Sequence, residues 1–331
     1  MDNKKSYEQA VGILKNSGVV AFPTETVYGL GALATDEDAV NKIFQAKGRP
    51  SDNPLIVHIG TKEEVSKYAV GMTKTAEMLM DAFWPGPLTI VFERIPGIIA
   101  PNVTPGVSTV GVRMPDHPVA LELLRKLKGP LAAPSANRSG KPSPTEAKHV
   151  AEDLDGLIPL ILDGGQTGIG LESTVIDMTT TPPIILRPGG VTREMIEDVI
   201  GPVDVSANEA TEEAPRSPGM KYAHYAPEAP LFIIQSNAES ITNAVAQLQA
   251  KNKKVAVVGP DNFNVPSADW YFAIGASGDN EQMSASLYKA LRDCDLTDAD
   301  VILATETDLS GVCTAFMNRL LKASDGKRFI I

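Results

Sequence analysis

The chain has 331 residues, 43% hydrophobic and 21% charged, with a formal net charge of −11. That length exceeds one ordinary core and suits two domains, and the composition is that of a globular chain, not a disordered one. The acidity argues against tight non-specific binding of nucleic acid by the whole chain, whereas a small anionic ligand needs only a few cations gathered in a cleft.

No run of about 18 apolar residues occurs and the opening MDNKKSYEQA has no hydrophobic leader, so the expectation is a cytoplasmic protein with no membrane attachment. Cys294 and Cys313 are the only cysteines, which excludes a disulfide framework and, without C-x-x-C or histidines at ligand spacing, a zinc site. They read as two small core residues.

In chain order, residues 6–16 read as a helix with Ala10, Val11 and Leu14 on one face, ended by Gly18. Val19 to Phe22 is apolar without alternation and stops at Pro23, the pattern of a buried strand. A helical segment follows, with Val40, Ile43, Phe44 and Lys47 in helical spacing, Thr35 and Asp38 as a variant capping box, and Pro50 as its stop. Lys47 and Arg49 fall at its exit, where the helix dipole favours a cation, so each reads equally as a solvated terminal charge that tolerates truncation. Helices are expected at 61–69, 73–83, 117–127 and 145–154. Strands are expected at 88–92, after the turn W-P-G-P, and at 110–113, 131–133, 158–162, 174–178 and 184–187. Many short strands with helices out of strict alternation indicate an α/β domain with a mixed, twisted sheet over residues 1–203. Residues 204–229 are first acidic, then rich in Pro and Gly, and read as a linker or lid. From 230 to 331 strands at 231–235, 254–258, 269–274 and 300–304 alternate with helices at 238–250, 281–293 and 311–323, the pattern of a smaller Rossmann-like parallel α/β domain. It lacks G-x-G-x-x-G, so no dinucleotide is implied.

The chemistry-bearing residues are scattered along this frame. Lys47, Arg49, Arg113 and Arg187 are the cations whose neighbours are apolar or turn-forming. The chain has no Walker A string. The glycine-rich LDGGQTGIGLEST is equally a phosphate cradle or a tight turn between strands. Arg113 can clamp a carboxylate in bidentate fashion, and Thr26, His58 and Ser173 offer short polar contacts. His58 is otherwise a structural histidine, and the threonines of PTET otherwise satisfy their own turn.

PTETVYGLGA, then KGRPSDNPL, then Ser135 and Asn137 in APSANRSG together resemble the YrdC/YwlC family of L-threonylcarbamoyladenylate synthases, marked by a K-x-R … S-x-N tetrad. The resemblance covers about the first 200 residues, and the S-P-G-M-x-x-x-H-Y-A-P string before a second domain is similar to the two-domain branch. It implies a nucleotidyltransferase that makes L-threonylcarbamoyl-AMP and pyrophosphate from L-threonine, bicarbonate and ATP with Mg2+ carried by the nucleotide and water. The product would pass to a separate tRNA threonylcarbamoyl transferase. Lys47 and Arg49 would be catalytic. ATP would also meet Asn53, Thr109, Ser135, Asn137, Ser143, Arg187 and Tyr225. L-threonine would meet Thr26, His58, Arg113 and Ser173. Lys221, Tyr222, His224 and Tyr225 would ride on a lid that closes over both substrates. The competing expectation is a double-stranded RNA-binding module of the same fold, against which the net acidity counts.

Overall fold

The computed structural model describes residues 3–206, 225–263 and 265–330, so Lys221, Tyr222 and His224 of the expected lid lie outside the described residues. The chain forms two compact units. The first is built from the described chain up to residue 206, apart from two short segments. The second gathers residues 225–330 together with those segments, Gly140–Ser143 and Ile169–Leu171.

The strands of the first unit are β1 (Val20–Phe22), β2 (Gly29–Leu33), β3 (Val57–His58), β4 (Ala69–Val70), β5 (Leu88–Arg94), β6 (Thr109–Arg113), β7 (Leu131–Ala132), β8 (Thr174–Asp177), β9 (Ile184–Arg187) and β10 (Asp204–Val205). They lie in the order β1-β2-β7-β3-β6-β5-β8-β9-β10, with β4 added to β5. The sheet is mixed: β5 is antiparallel to β6 and parallel to β8. Its helices are α1 (Asn3–Lys15), α2 (Glu37–Lys47), α3 (Lys74–Phe83), α4 (Pro118–Leu127), α5 (Ala147–Leu154) and α6 (Arg193–Ile200).

The run from Val19 to Phe22 lacks alternation because both faces of β1 are buried. Val19 and Ala21 join the large core with α2 and α3, while Val20 and Phe22 join a smaller core with Ala10 and Leu14 of α1 and Leu123 and Leu127 of α4. Burying the Val, Leu and Phe side chains among these contributes about 1.5–3 kcal/mol each. Further along the sheet the two faces differ. Leu88, Ile90 and Phe92 of β5 and Val110 and Val112 of β6 enter the large core. The alternate residues Thr89, Val91, Thr109 and Gly111 instead line a cavity on the opposite face, with Val175 of β8. This half-covered face is where polar groups collect.

Three local expectations are corrected. The segment 61–69 is a 3-10 turn over Lys62–Lys67, opened by the Thr61–Glu64 capping box and followed by β4; only Val65 of that turn is buried, too little of an apolar face to hold a longer helix. Residues 158–162 form only an isolated bridge, Ala21 to Ile161, although Leu160 and Leu162 do hydrogen-bond Ala21. The cap of α2 is Asp36, whose side chain accepts from the Ala39 N–H, and not Thr35.

In the second unit β11 (Leu231–Ile234), β12 (Val255–Gly259), β13 (Trp270–Ala273) and β14 (Val301–Thr305) make a wholly parallel sheet in the order β11-β14-β12-β13. The helices are α7 (Ala238–Gln249), α8 (Asn280–Asp295) and α9 (Cys313–Ala323). Ile241, Val245 and Leu248 of α7 pack on Val255, Val257, Val301 and Leu303, which gives the Rossmann-like arrangement that the alternating pattern predicts. No helix among the described residues is long and apolar enough to cross a membrane.

Candidate active site

The K-x-R and S-x-N strings meet. α2 ends at Lys47, and Gly48 follows in the left-handed conformation (φ 61°), turning the chain sharply. The Lys47 side chain does not project into solvent. It is 2% exposed, and its ammonium donates to the backbone carbonyls of Ser135 and Asn137, each at 2.5 Å, with Asn137 Oδ1 at 3.4 Å. The Ser139 N–H returns a bond to the Lys47 carbonyl at 2.8 Å. The Ser135 hydroxyl donates to Asn137 Oδ1 at 2.5 Å. The expectation of a solvated, truncation-tolerant lysine is therefore overturned: the ammonium ties helix to loop, and two carbonyls depend on it. Arg49 is half-buried, with Nη2 donating to the Pro54 carbonyl at 3.3 Å. Asn53, next to it, is buried.

A second cluster forms across β5, β8 and β9. Arg187 donates from Nε to the Ser173 carbonyl and from Nη2 to the Ser173 hydroxyl, both at 3.1 Å, and that hydroxyl also pairs with Thr89 Oγ1 at 2.8 Å. Thr89 is a member that sequence reasoning missed; the signal was its place on the non-core face of β5. Pro188-Gly189-Gly190 turns directly against this group. A Cβ on Gly189 would lie 2.2 Å from the Thr174 nitrogen, so no other residue fits.

Arg113 stands at the end of β6 and Thr109 at its start, on the same face. The Arg113 guanidinium already holds a carboxylate, Glu25 of PTET, at 2.7 Å, and donates from Nε to the Gly86 carbonyl at 3.3 Å. Glu25 is the other member missed, since nothing local pairs it with β6. Thr26 is buried and bonds Thr24, whose hydroxyl donates to the Val27 carbonyl, so these threonines satisfy their own turn. His58 is enclosed likewise: its Nδ1–H donates to the Ile56 carbonyl at 3.2 Å and its ring packs edge-on against Phe22.

Burial, reinforced by the Arg113 charge, pushes the His58 imidazole down to about 3. It is neutral in the folded chain at all ordinary pH. Between pH 6.5 and about 3 the unfolded chain takes up a proton that the folded one refuses, so stability is lost as pH falls through that window. His58→Asn, which keeps a donor toward Ile56, is expected to flatten the pH dependence of the unfolding free energy by about one proton, roughly 1.4 kcal/mol per pH unit. Denaturant titrations at pH 4, 5 and 6 measure it, and an unchanged slope contradicts it.

The glycine-rich loop is a turn, not an open cradle. The Gly164 N–H donates to the Tyr28 hydroxyl at 3.1 Å, that hydroxyl donates to the Gly165 carbonyl at 2.7 Å, and the Gly165 N–H donates to Asp163 at 2.9 Å. Burial pushes the Tyr28 hydroxyl up to about 12, so it stays a donor.

Ser143 and Tyr225 belong to the second unit. Ser143 is fully buried, and the neighbouring Pro142 carbonyl accepts from Arg292 Nη2 at 2.6 Å. Tyr225, at φ 67°, packs against Tyr288 with ring centroids 5.2 Å apart, and the Arg319 guanidinium lies 5.9 Å from its ring centre.

Arg49, Arg113, Arg187 and Lys47 on a unit with a mixed sheet, followed by a parallel α/β unit, define a two-part α/β protein whose first part carries the cations that an anionic ligand needs. The comparisons agree with that class. The family model Sua5_yciO_yrdC, described as telomere recombination, matches residues 12–189, and the model for the C-terminal domain of threonylcarbamoyl-AMP synthase matches residues 191–325. A threonylcarbamoyl-AMP synthase of Bacillus subtilis is 49% identical over 98% of this chain and 94% of its own, and one of Pyrococcus abyssi is 48% identical over 97% and 94%. The crystal structure of P. abyssi Sua5 complexed with L-threonine superposes with a TM-score of 0.94 at 45% identity, covering 100% of this chain and 97% of that one. The chain belongs to the threonylcarbamoyl-AMP synthase family.

Proposed function

We propose that this chain synthesises L-threonylcarbamoyl-AMP and pyrophosphate from L-threonine, bicarbonate and ATP, and that the product serves threonylcarbamoyl-adenosine formation in tRNA through a separate transferase. The observation that carries this reading is the Lys47 ammonium bound to the carbonyls of Ser135 and Asn137 beside Arg49, the joining of K-x-R to S-x-N within a chain of this family.

The chemistry follows from the charges. The threonine amine and bicarbonate give a carbamate with loss of water. A carbamate oxygen attacks the α-phosphorus of ATP, the bond to the β-phosphate oxygen breaks, and pyrophosphate leaves with the electron pair. Negative charge grows on the phosphate oxygens, and fixed cations in a partly dry cleft stabilise it more than they stabilise the ground state. Arg49 and Arg187 supply those cations. Lys47 adds charge while fixing the loop that presents Ser135 and Asn137. Thr109 and Asn53 line the nucleotide side, and Arg113 takes the threonine carboxylate next to Ser173, Thr26 and His58. Mg2+ would enter as the ATP chelate, with phosphates and water supplying most of its ligands, since the Glu25 carboxylate of this cluster is already paired with Arg113. The reaction is placed in the cytoplasm, where the tRNA is found.

Omitting ATP, threonine or bicarbonate one at a time tests the reading. Pyrophosphate release is expected to fall to background in each case, and full-rate release without bicarbonate would contradict it. The RNA-binding alternative is not favoured for a chain with a net charge of −11.

A further inference from the structure

The first five residues of β5, Leu88 to Phe92, are all buried, and Thr89 is the one polar side chain among them, at 0% exposure. Valine has the same shape, suits a strand as well and gives up no hydration on burial, so packing alone does not call for a hydroxyl there. Its surroundings turn that hydroxyl one way. β5 runs parallel to β8 with Leu88 beside Thr174, which brings Thr89 next to Ser173, the residue before β8. On the other side β6 presents Gly111, where a Cβ would lie 3.2 Å from the Thr89 methyl carbon. The methyl therefore faces β6 and the hydroxyl faces Ser173, with 2.8 Å between the two oxygens. Ser173 in turn holds one edge of the Arg187 guanidinium: its carbonyl accepts from Nε and its hydroxyl oxygen from Nη2, each at 3.1 Å. The carbonyl is fixed by the backbone. The hydroxyl can rotate about χ1, and Thr89 is its only other hydrogen-bond partner among the described residues.

We propose that Thr89 is a positioning residue for the adenylation step: it holds the Ser173 hydroxyl against Nη2 and so fixes the plane in which the Arg187 charge meets the phosphates of ATP. This rests on the reading of Arg187 given above. A guanidinium is a planar fork, and the direction of its donors decides how well it complements the charge that grows in the transition state. Thr89, with no exposed surface of its own, acts through Ser173. Without its hydroxyl Ser173 can turn away, and only the Nε bond then still ties Arg187 to Ser173.

Thr89→Val keeps the shape of the side chain and deletes the hydroxyl. Its kcat for pyrophosphate formation is expected to fall about tenfold, the worth of one hydrogen bond on a charged group, with the KM for L-threonine within about threefold of wild type. Thr89→Ser, which keeps the hydroxyl, is expected to recover most of that rate. On a Ser173→Ala background Thr89→Val is expected to lower the residual kcat no further, since the two hydroxyls act as one unit. A merely structural threonine would lower both backgrounds by the same factor. An unchanged kcat in Thr89→Val overturns the proposal. So does an equal loss in Thr89→Ser, a loss seen only in the KM for threonine, or a loss on the Ser173→Ala background as large as in the wild type. If the wild-type chain releases no pyrophosphate from ATP, L-threonine and bicarbonate, the synthase reading falls and this proposal with it. Wild-type release that Thr89→Val leaves intact removes this proposal alone.

Discussion

Replacing Lys47 by Ala is expected to reduce pyrophosphate formation by roughly 10²–10³, the usual cost of removing one donor that stabilises a transition state, and to lower stability at the same time. The second effect comes from burial. With the ammonium gone, the carbonyls of Ser135 and Asn137 lose a donor in a place where the lysine itself is 2% exposed, and each unsatisfied buried group costs about 1–3 kcal/mol. Lys47→Met separates the contributions, because it keeps the apolar stem and removes only the charge and the donors. Both variants are expected to melt below the wild type and to lose the activity together. Pyrophosphate release near the wild-type rate in either one would show that the tie between α2 and the S-x-N loop is not part of the catalytic machinery.

Arg113→Ala is expected to weaken L-threonine binding by roughly 10–10²-fold, the loss of a charge-assisted hydrogen bond to a carboxylate, while ATP affinity stays within about threefold of wild type. The ion pair at 2.7 Å adds a complication that the sequence does not announce. Truncating Arg113 strands the Glu25 carboxylate, 12% exposed, without its partner, and an uncompensated charge in such a place is destabilising. Arg113→Ala combined with Glu25→Gln is therefore expected to regain stability without regaining threonine affinity. Calorimetry on both ligands with thermal melts of both variants checks this. Equal losses for ATP and threonine would place Arg113 elsewhere in the mechanism.

What could be read in the sequence was what local pattern encodes. The parallel second unit follows from its alternation of strands and helices, and the double-sided burial of β1 from an apolar run without alternation. K-x-R and S-x-N are recognisable as strings, but their meeting through the Lys47 ammonium is a tertiary fact. β2 escaped because Gly29-Leu30-Gly31-Ala32-Leu33 reads as loop, whereas the small residues there make room for Phe22; a Cβ on Gly31 would come within 2.7 Å of that ring. Thr89 with Ser173, 84 positions apart, and Glu25 with Arg113 are pairings across strands that no local period carries. Lys47 looked solvated because a helix exit usually is; the loop that covers it follows β7, which lies between β2 and β3 in the sheet, and its Asn137 is 90 positions further along the chain.

The most direct test of the account is the identity of the adenylate. Enzyme supplied with ATP, L-threonine and isotopically labelled bicarbonate is predicted to form one adenylate that carries the label in its carbamoyl carbon, with pyrophosphate released in equal amount. An unlabelled threonyl-AMP formed at the same rate with bicarbonate removed would contradict it.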